Sequence, residues 1–141
     1  MPESTQHLAL VRRLVSYVNS TFSECQSLSV ICDLPIPIGG ERPPRIQGFT
    51  PDLYAVDVPA TKTILGEAKT QKDLETEHTR HQLTAFLYYL SCQSCGVLIV
   101  AVPWQIVGAT QRTMRLITGA AGNPRGVDVI ILDEIRVYRT Q

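Results

Sequence analysis

The stretch PDLYAVDVPATKTILGEAKT, residues 51–70, decides how the rest of the chain is read. Its halves, 52–58 and 62–69, have strand-like alternation and composition, and a short segment separates them, so the stretch reads as a β-hairpin. A turn centred on Pro59-Ala60 sets Val58 opposite Thr61, Asp57 opposite Lys62 and Asp52 opposite Glu67. Directly opposed residues share a face, with Cβ atoms about 5 Å apart. On one face the opposite charges of Asp57 and Lys62 favour this register. On the other, two carboxylates stand side by side, which is unfavourable unless positive charge lies between them. Lys69, two residues beyond Glu67, shares that face. The hairpin therefore offers a pocket for a cation with an ammonium group beside it. A turn one residue longer or shorter would flip the faces, and the short turn argues against that. Acids and lysines at strand ends also occur as solvated tips, worth under ~1 kcal/mol as exposed pairs. What favours a site is that Asp52, Glu67 and Lys69 fall on one face.

Outward from the hairpin, the spacing of Leu8, Val11, Leu14, Val15 and Val18 predicts an amphipathic helix over 6–20. Residues 27–33 read as a strand, and 34–48 (LPIPIGGERPPRIQG) as a long loop dense in Pro and Gly. After the hairpin, Asp73 is expected to cap a helix running to about residue 90, with Glu75 and Glu77 in its first turn. Leu83, Phe86, Leu87 and Leu90 form that helix's core stripe. The run GVLIVAV, 96–102, is expected to be a central buried strand. A helix over 105–118, ended by Gly119 and Gly122, and one or two strands within 126–137 complete the order. The expected fold is α/β, a mixed central sheet flanked by helices, in a single domain spanning 1–141.

Composition excludes several classes. Thirteen basic and thirteen acidic residues give no net charge, so no overall field marks the chain as a nucleic-acid binder, although a local patch can supply one. No apolar run approaches the ~20 residues of a membrane helix. The opening MPESTQHLALVRRL lacks the basic-then-apolar order of a signal peptide, and a cytoplasmic chain without membrane partners is expected. Of the four cysteines, Cys92 and Cys95 form a C-x-x-C, while Cys25 and Cys32 are more loosely spaced. Buried, inert thiols are expected rather than a zinc knuckle or a redox pair.

The chemistry that suits two carboxylates and a lysine is phosphodiester hydrolysis. Carboxylates hold a hard divalent cation such as Mg²⁺, which keeps positions open for water and phosphate. The metal acidifies a bound water, and a nearby lysine orients or deprotonates it, or stabilises the transition state. Two side-chain oxygens are few, so a backbone carbonyl such as that of Ala68 and bound waters must complete the shell.

Pro51-Asp52, the hairpin spacer and Glu67-Ala68-Lys69, set in GFTPDLY…ILGEAKT, resemble the PD-(D/E)xK nuclease superfamily, in particular its small resolvase-like and restriction-endonuclease-like members. The resemblance covers roughly residues 6–102 and implies a restriction-endonuclease-like αβββαβ core, here with a C-terminal αβ extension. It implies Asp52 and Glu67 as metal ligands for Mg²⁺ or Mn²⁺, the Ala68 carbonyl as a third, and Lys69 as the catalytic lysine. Gln82, in HTRHQLTAFLYYL, holds the place of a site-facing glutamine found in many members; its alternative is an ordinary surface amide. Many members also use an acid on the first helix, where this chain has none; Glu3 or Glu24 is the expected substitute.

DNA is the expected partner. Arg42 and Arg45 in the loop before Asp52, together with Lys72, are candidate phosphate contacts, as are Arg80 and the Arg12-Arg13 pair. His78 and His81 are expected as surface or packing histidines rather than ligands. The GAAG at 119–122 lacks the Lys-Ser or Lys-Thr of a phosphate loop. The alternative to a nuclease is an inactive DNA-binding or assembly module of the same fold. A homodimer, or a protein partner supplying specificity, is compatible with either.

Overall fold

The computed structural model describes residues 4–23, 27–33, 41–58, 61–121 and 126–139. Glu3, Glu24, Cys25, Gly122, the Pro59-Ala60 turn and residues 34–40 of the expected loop lie outside them. The elements are α1 (Thr5–Thr21), β1 (Ser29–Cys32), β2 (Leu53–Val56), β3 (Thr63–Ala68), α2 (Gln71–Leu74), α3 (Glu77–Ser91), β4 (Gly96–Ala101), α4 (Val107–Ala121), β5 (Val127–Leu132) and β6 (Val137–Arg139). The six strands form one sheet in the order β1-β2-β3-β4-β5-β6. β1, β2 and β3 run antiparallel as a meander, β3, β4 and β5 are parallel, and β6 returns antiparallel to β5. The sheet is thus mixed and flanked by helices, as expected. Its edge strands are short: four residues in β1 and three in β6.

The hairpin register is the expected one: Leu53 pairs with Gly66, Tyr54 with Leu65, Ala55 with Ile64 and Val56 with Thr63. Extending that ladder by one step sets Asp52 opposite Glu67. The contact between Asp57 and Lys62 differs from the expected charge pair. The Asp57 carboxylate accepts the Thr61 hydroxyl at 2.6 Å and the Lys62 backbone amide at 2.8 Å. The Lys62 ammonium instead lies 4.9 Å from the centre of the Phe22 ring. Backbone-directed hydrogen bonds close to the turn hold the register, and the cation is spent on an aromatic face.

Alternation along the strands divides the core into two layers. Leu53, Ala55, Ile64, Val97, Ile99, Ile130 and Leu132 pack with Leu10, Val11, Leu14 and Val18 of α1 on one face. Leu65, Leu98, Val100, Val129 and Ile131 pack with Leu83, Phe86, Leu87 and Leu90 of α3 and Met114 and Ile117 of α4 on the other. Gly66 allows α1 to settle close to the sheet. A Cβ there would lie 3.0 Å from the Leu53 Cβ and 3.3 Å from a Leu14 methyl. β4 is buried at every position, the mark of a strand covered on both faces.

Four expectations need correction. The helix expected from Asp73 to residue 90 is two helices, because the chain turns at Glu75-Thr76 between α2 and α3. Asp73 is not the cap: the Thr76 hydroxyl caps α3 by accepting the Thr79 amide at 3.1 Å. The Asp73 carbonyl accepts the hydroxyls of Thr76 and Thr79, so local threonine bonding outcompetes helix continuation. α4 runs through Gly119 to Ala121 and is preceded by a single 3₁₀ turn, Trp104–Ile106. The three described cysteines are not buried: Cys92 is exposed, and Cys32 and Cys95 are half-buried.

Candidate active site

Asp52 lies immediately before β2, Glu67 is the penultimate residue of β3, and Lys69 follows its end. All three side chains are buried, and so is Gln82 of α3. Alternation puts Glu67 on the face of Leu65, toward α3. The Lys69 Nζ sits 3.7 Å from the Glu67 Oε1, confirming that they share a face. The Asp52 Oδ2 accepts the Ala68 backbone amide at 2.8 Å, tying the start of β2 to the end of β3. The Lys69 amide in turn donates to the Ala101 carbonyl at 2.9 Å, and the Val102 amide to the Leu132 carbonyl at 2.9 Å. The site therefore lies at the carboxyl end of the parallel strands, where open α/β sheets place their ligands.

The electrostatics are those of a site short of positive charge. Burial pushes the Glu67 carboxyl well above the usual carboxylate range, the Asp52 charge pushes it further, and the Lys69 ammonium only partly opposes them. The Glu67 Oε2 and the Gln82 Oε1 are buried and have no hydrogen-bond partner among the described residues. Buried polar atoms are nearly always paired, so the orphaned Glu67 Oε2 beside the Asp52 carboxylate fits a donor or cation supplied from outside the chain. Among the described residues no cluster of three or more His, Cys, Asp or Glu side chains is arranged to hold a metal ion. Any cation here rests on two carboxylates, with backbone oxygen and water completing its shell. That oxygen-only, partly hydrated set suits Mg²⁺ or Mn²⁺ better than zinc.

His7 is the site neighbour that the residue pattern did not single out. Its Nε2 lies 3.4 Å from the Asp52 Oδ1, so α1 contributes an imidazole to the side of the pocket where an acid was sought. A signal was present. His7 stands in register with Val11, Leu14 and Val18, a polar residue at the head of the helix's buried stripe. The Ser4 hydroxyl accepts the His7 backbone amide at 3.1 Å, capping α1 and fixing its first turn.

The outlying candidates divide. The Arg42 Nη1 is 2.9 Å from the Asp33 Oδ1, and the Asp33 amide donates to the Asp52 carbonyl, so this arginine is tethered beside the site's first acid. The Arg45 Nη2 donates to the Gly48 carbonyl within its own turn. Lys72 lines a cleft of about 490 Å³ with Ser4, Gln6, Thr70 and Gln71. Gln6 also lines a second cleft, of about 360 Å³, with Arg13, Pro103, Gln105 and Glu134. The Arg13 Nε and Nη2 donate to the Asp133 and Ile135 carbonyls, which makes this residue a clamp between α1 and the β5–β6 turn. His78 stacks edge-on against Phe49, with ring centres 5.4 Å apart, and His81 is exposed, 3.9 Å from Glu77. Both are surface histidines, as expected.

Fold and site define an α/β protein with a six-stranded mixed sheet and a buried carboxylate–lysine cluster at the carboxyl end of its parallel strands. This architecture is similar to that of SfsA from Pyrococcus furiosus, solved in complex with Ca²⁺, with a TM-score of 0.52 at 10% sequence identity. The similarity covers 92% of this chain and 61% of that structure, so the chain spans less than two thirds of its length. At such identity the likeness is one of fold. No family model matches the sequence, and no curated protein does. Among the described residues no helix is long and apolar enough to cross a membrane.

Proposed function

We propose that this chain is a divalent-metal-dependent nuclease of the PD-(D/E)xK type, acting on DNA. One observation carries the reading. Two carboxylates, Asp52 and Glu67, are buried together beside a single ammonium, with the Glu67 Oε2 left without a partner. Leaving charge this poorly matched inside a small domain costs stability, and a cation is the simplest group that offsets it. SfsA, solved with Ca²⁺, supplies a divalent cation in a protein of the same fold.

In this reading Asp52, Glu67 and the Ala68 carbonyl would hold the ion, and Mg²⁺ or Mn²⁺ bound there would supply an acidified water and positive charge against the phosphate. The chain's own groups do the rest. Lys69, held by Glu67, presents its ammonium to the attacking water or to the phosphoryl oxygens. Gln82 offers its side-chain amide to the same water or to a phosphate oxygen. His7 holds the Asp52 Oδ1 while the Ala68 amide holds its Oδ2, so the carboxylate is fixed from both sides. Arg42 and Lys72 lie where the flanking phosphates would pass.

The test is cleavage of a panel comprising linear duplex, single strand, flap and four-way junction, with Mg²⁺ or Mn²⁺, wild type beside Lys69→Ala. Metal-dependent cutting that falls by about 10²-fold or more in the variant supports the nuclease. Binding without cutting, by a folded protein and with every substrate, would replace it with an inactive DNA-binding module.

A further inference from the structure

Gln6 belongs to both clefts beside the site, so the two adjoin and form one trough. Its walls are the first half of α1 and the segments that leave the carboxyl ends of β3, β4 and β5. The next residue in the chain, His7, touches Asp52, so the trough opens beside the carboxylates. Amides line its length, at Gln6, Gln71 and Gln105, with Lys72 near one end and Arg13 near the other.

Between Pro103 and Gln105, which line the cleft at the Arg13 end, lies Trp104, the only tryptophan of the chain. It is 64% exposed, although the residues before it, Val102 and Pro103, are buried. Its backbone is fixed: the Trp104 amide donates to the Glu134 Oε1 at 2.9 Å, and the 3₁₀ turn it begins leads directly into α4. A large aromatic ring exposed on a rigid turn, between two residues that line the cleft, is an arrangement suited to stacking an unpaired base.

We propose that the trough carries an unpaired nucleic-acid strand away from the scissile phosphate and that Trp104 stacks one of its bases. This rests on the nuclease reading and names its substrate class. Two features of the chain support it. The clefts, at about 490 and 360 Å³, have the volume of small-ligand pockets, which suits single nucleotides better than the broad face of a duplex. The balanced charge gives little of the phosphate-neutralising field from which duplex binders draw non-specific affinity, whereas stacking needs none.

The fluorescence of a lone tryptophan reports the contact directly. Wild-type protein in EDTA, where no cutting occurs, is titrated with (dT)₈, (rU)₈ and a blunt eight-base-pair duplex. Saturable quenching by a single strand, with the duplex binding at least tenfold more weakly, supports the proposal, and the tighter of the two single strands names the sugar. Trp104→Ala, followed by a labelled oligonucleotide, weakens binding by about 5- to 100-fold, and Trp104→Phe recovers most of that loss. Quenching that is absent, or equal for duplex and single strand, overturns the proposal. Metal-dependent duplex cutting without such quenching would remove this inference and leave the nuclease standing. Quenching without any cutting would remove the nuclease and leave the strand-binding trough.

Discussion

Asp52 accepts the backbone amide of Ala68 through one carboxylate oxygen and lies 3.4 Å from His7 through the other. The acid is therefore held by a strand on one side and a helix on the other before any ligand arrives. Removing the helix contact should loosen it. His7→Ala is expected to lower affinity for Mn²⁺ by about 10- to 100-fold, the usual effect of losing a group that orients a ligand. The shift of thermal midpoint with added Mn²⁺ measures this independently of cleavage.

Glu67 makes the metal-free protein sensitive to pH. Its folded-state pKa lies above the ordinary value of 4.5, so between the two the native state keeps a proton that the unfolded chain has released. The associated stability is full below about pH 4.5 and is lost as the pH rises through the folded value. In EDTA, wild type should lose thermal stability as pH climbs from 4.5 toward neutrality, and Glu67→Gln should lose less. Near pH 4 the difference between the two should vanish, and at pH 7.5 added Mg²⁺ should raise the wild-type midpoint but not the variant's. A variant no more stable than wild type at neutral pH without metal would contradict the account.

Gly66 is a packing requirement rather than a turn. Gly66→Ala forces a methyl against Leu53 and Leu14, and an overpacked core site costs about 1–3 kcal/mol. The midpoint of urea unfolding reports it. The displacement falls on α1, which carries His7, so cleavage should decline further than stability alone explains.

Thr76 starts the helix that carries Gln82. Thr76→Ala removes its capping oxygen and should cost about 1 kcal/mol, again read from urea unfolding. Thr76→Ser keeps the hydroxyl and should retain most of the stability, which separates the cap from simple loss of volume.

The hairpin register was legible because a short turn and the parity of β-strands fix all pairings once one is known, and Asp52, Glu67 and Lys69 follow from it. The support drawn from Asp57 and Lys62 was right in position and wrong in contact, since a lysine side chain has other surfaces within reach. The division at Glu75-Thr76 was hidden because no Gly or Pro interrupts residues 71–91. It is set by Thr76 and Thr79 bonding back to the Asp73 carbonyl, a local competition that apolar spacing does not register. His7 was missed for a chemical reason: acids were sought on the first helix, and the position was filled by a base.

Among the described residues, four in β1 and three in β6 are the backbone that the sheet leaves at its borders. A foreign strand laid along either border could form only a few ladder hydrogen bonds, too few to repay its loss of freedom. Growth of the sheet from molecule to molecule is therefore poorly rewarded. Stored at high concentration, the protein should resist assembly into β-rich aggregates for as long as its six strands stay joined.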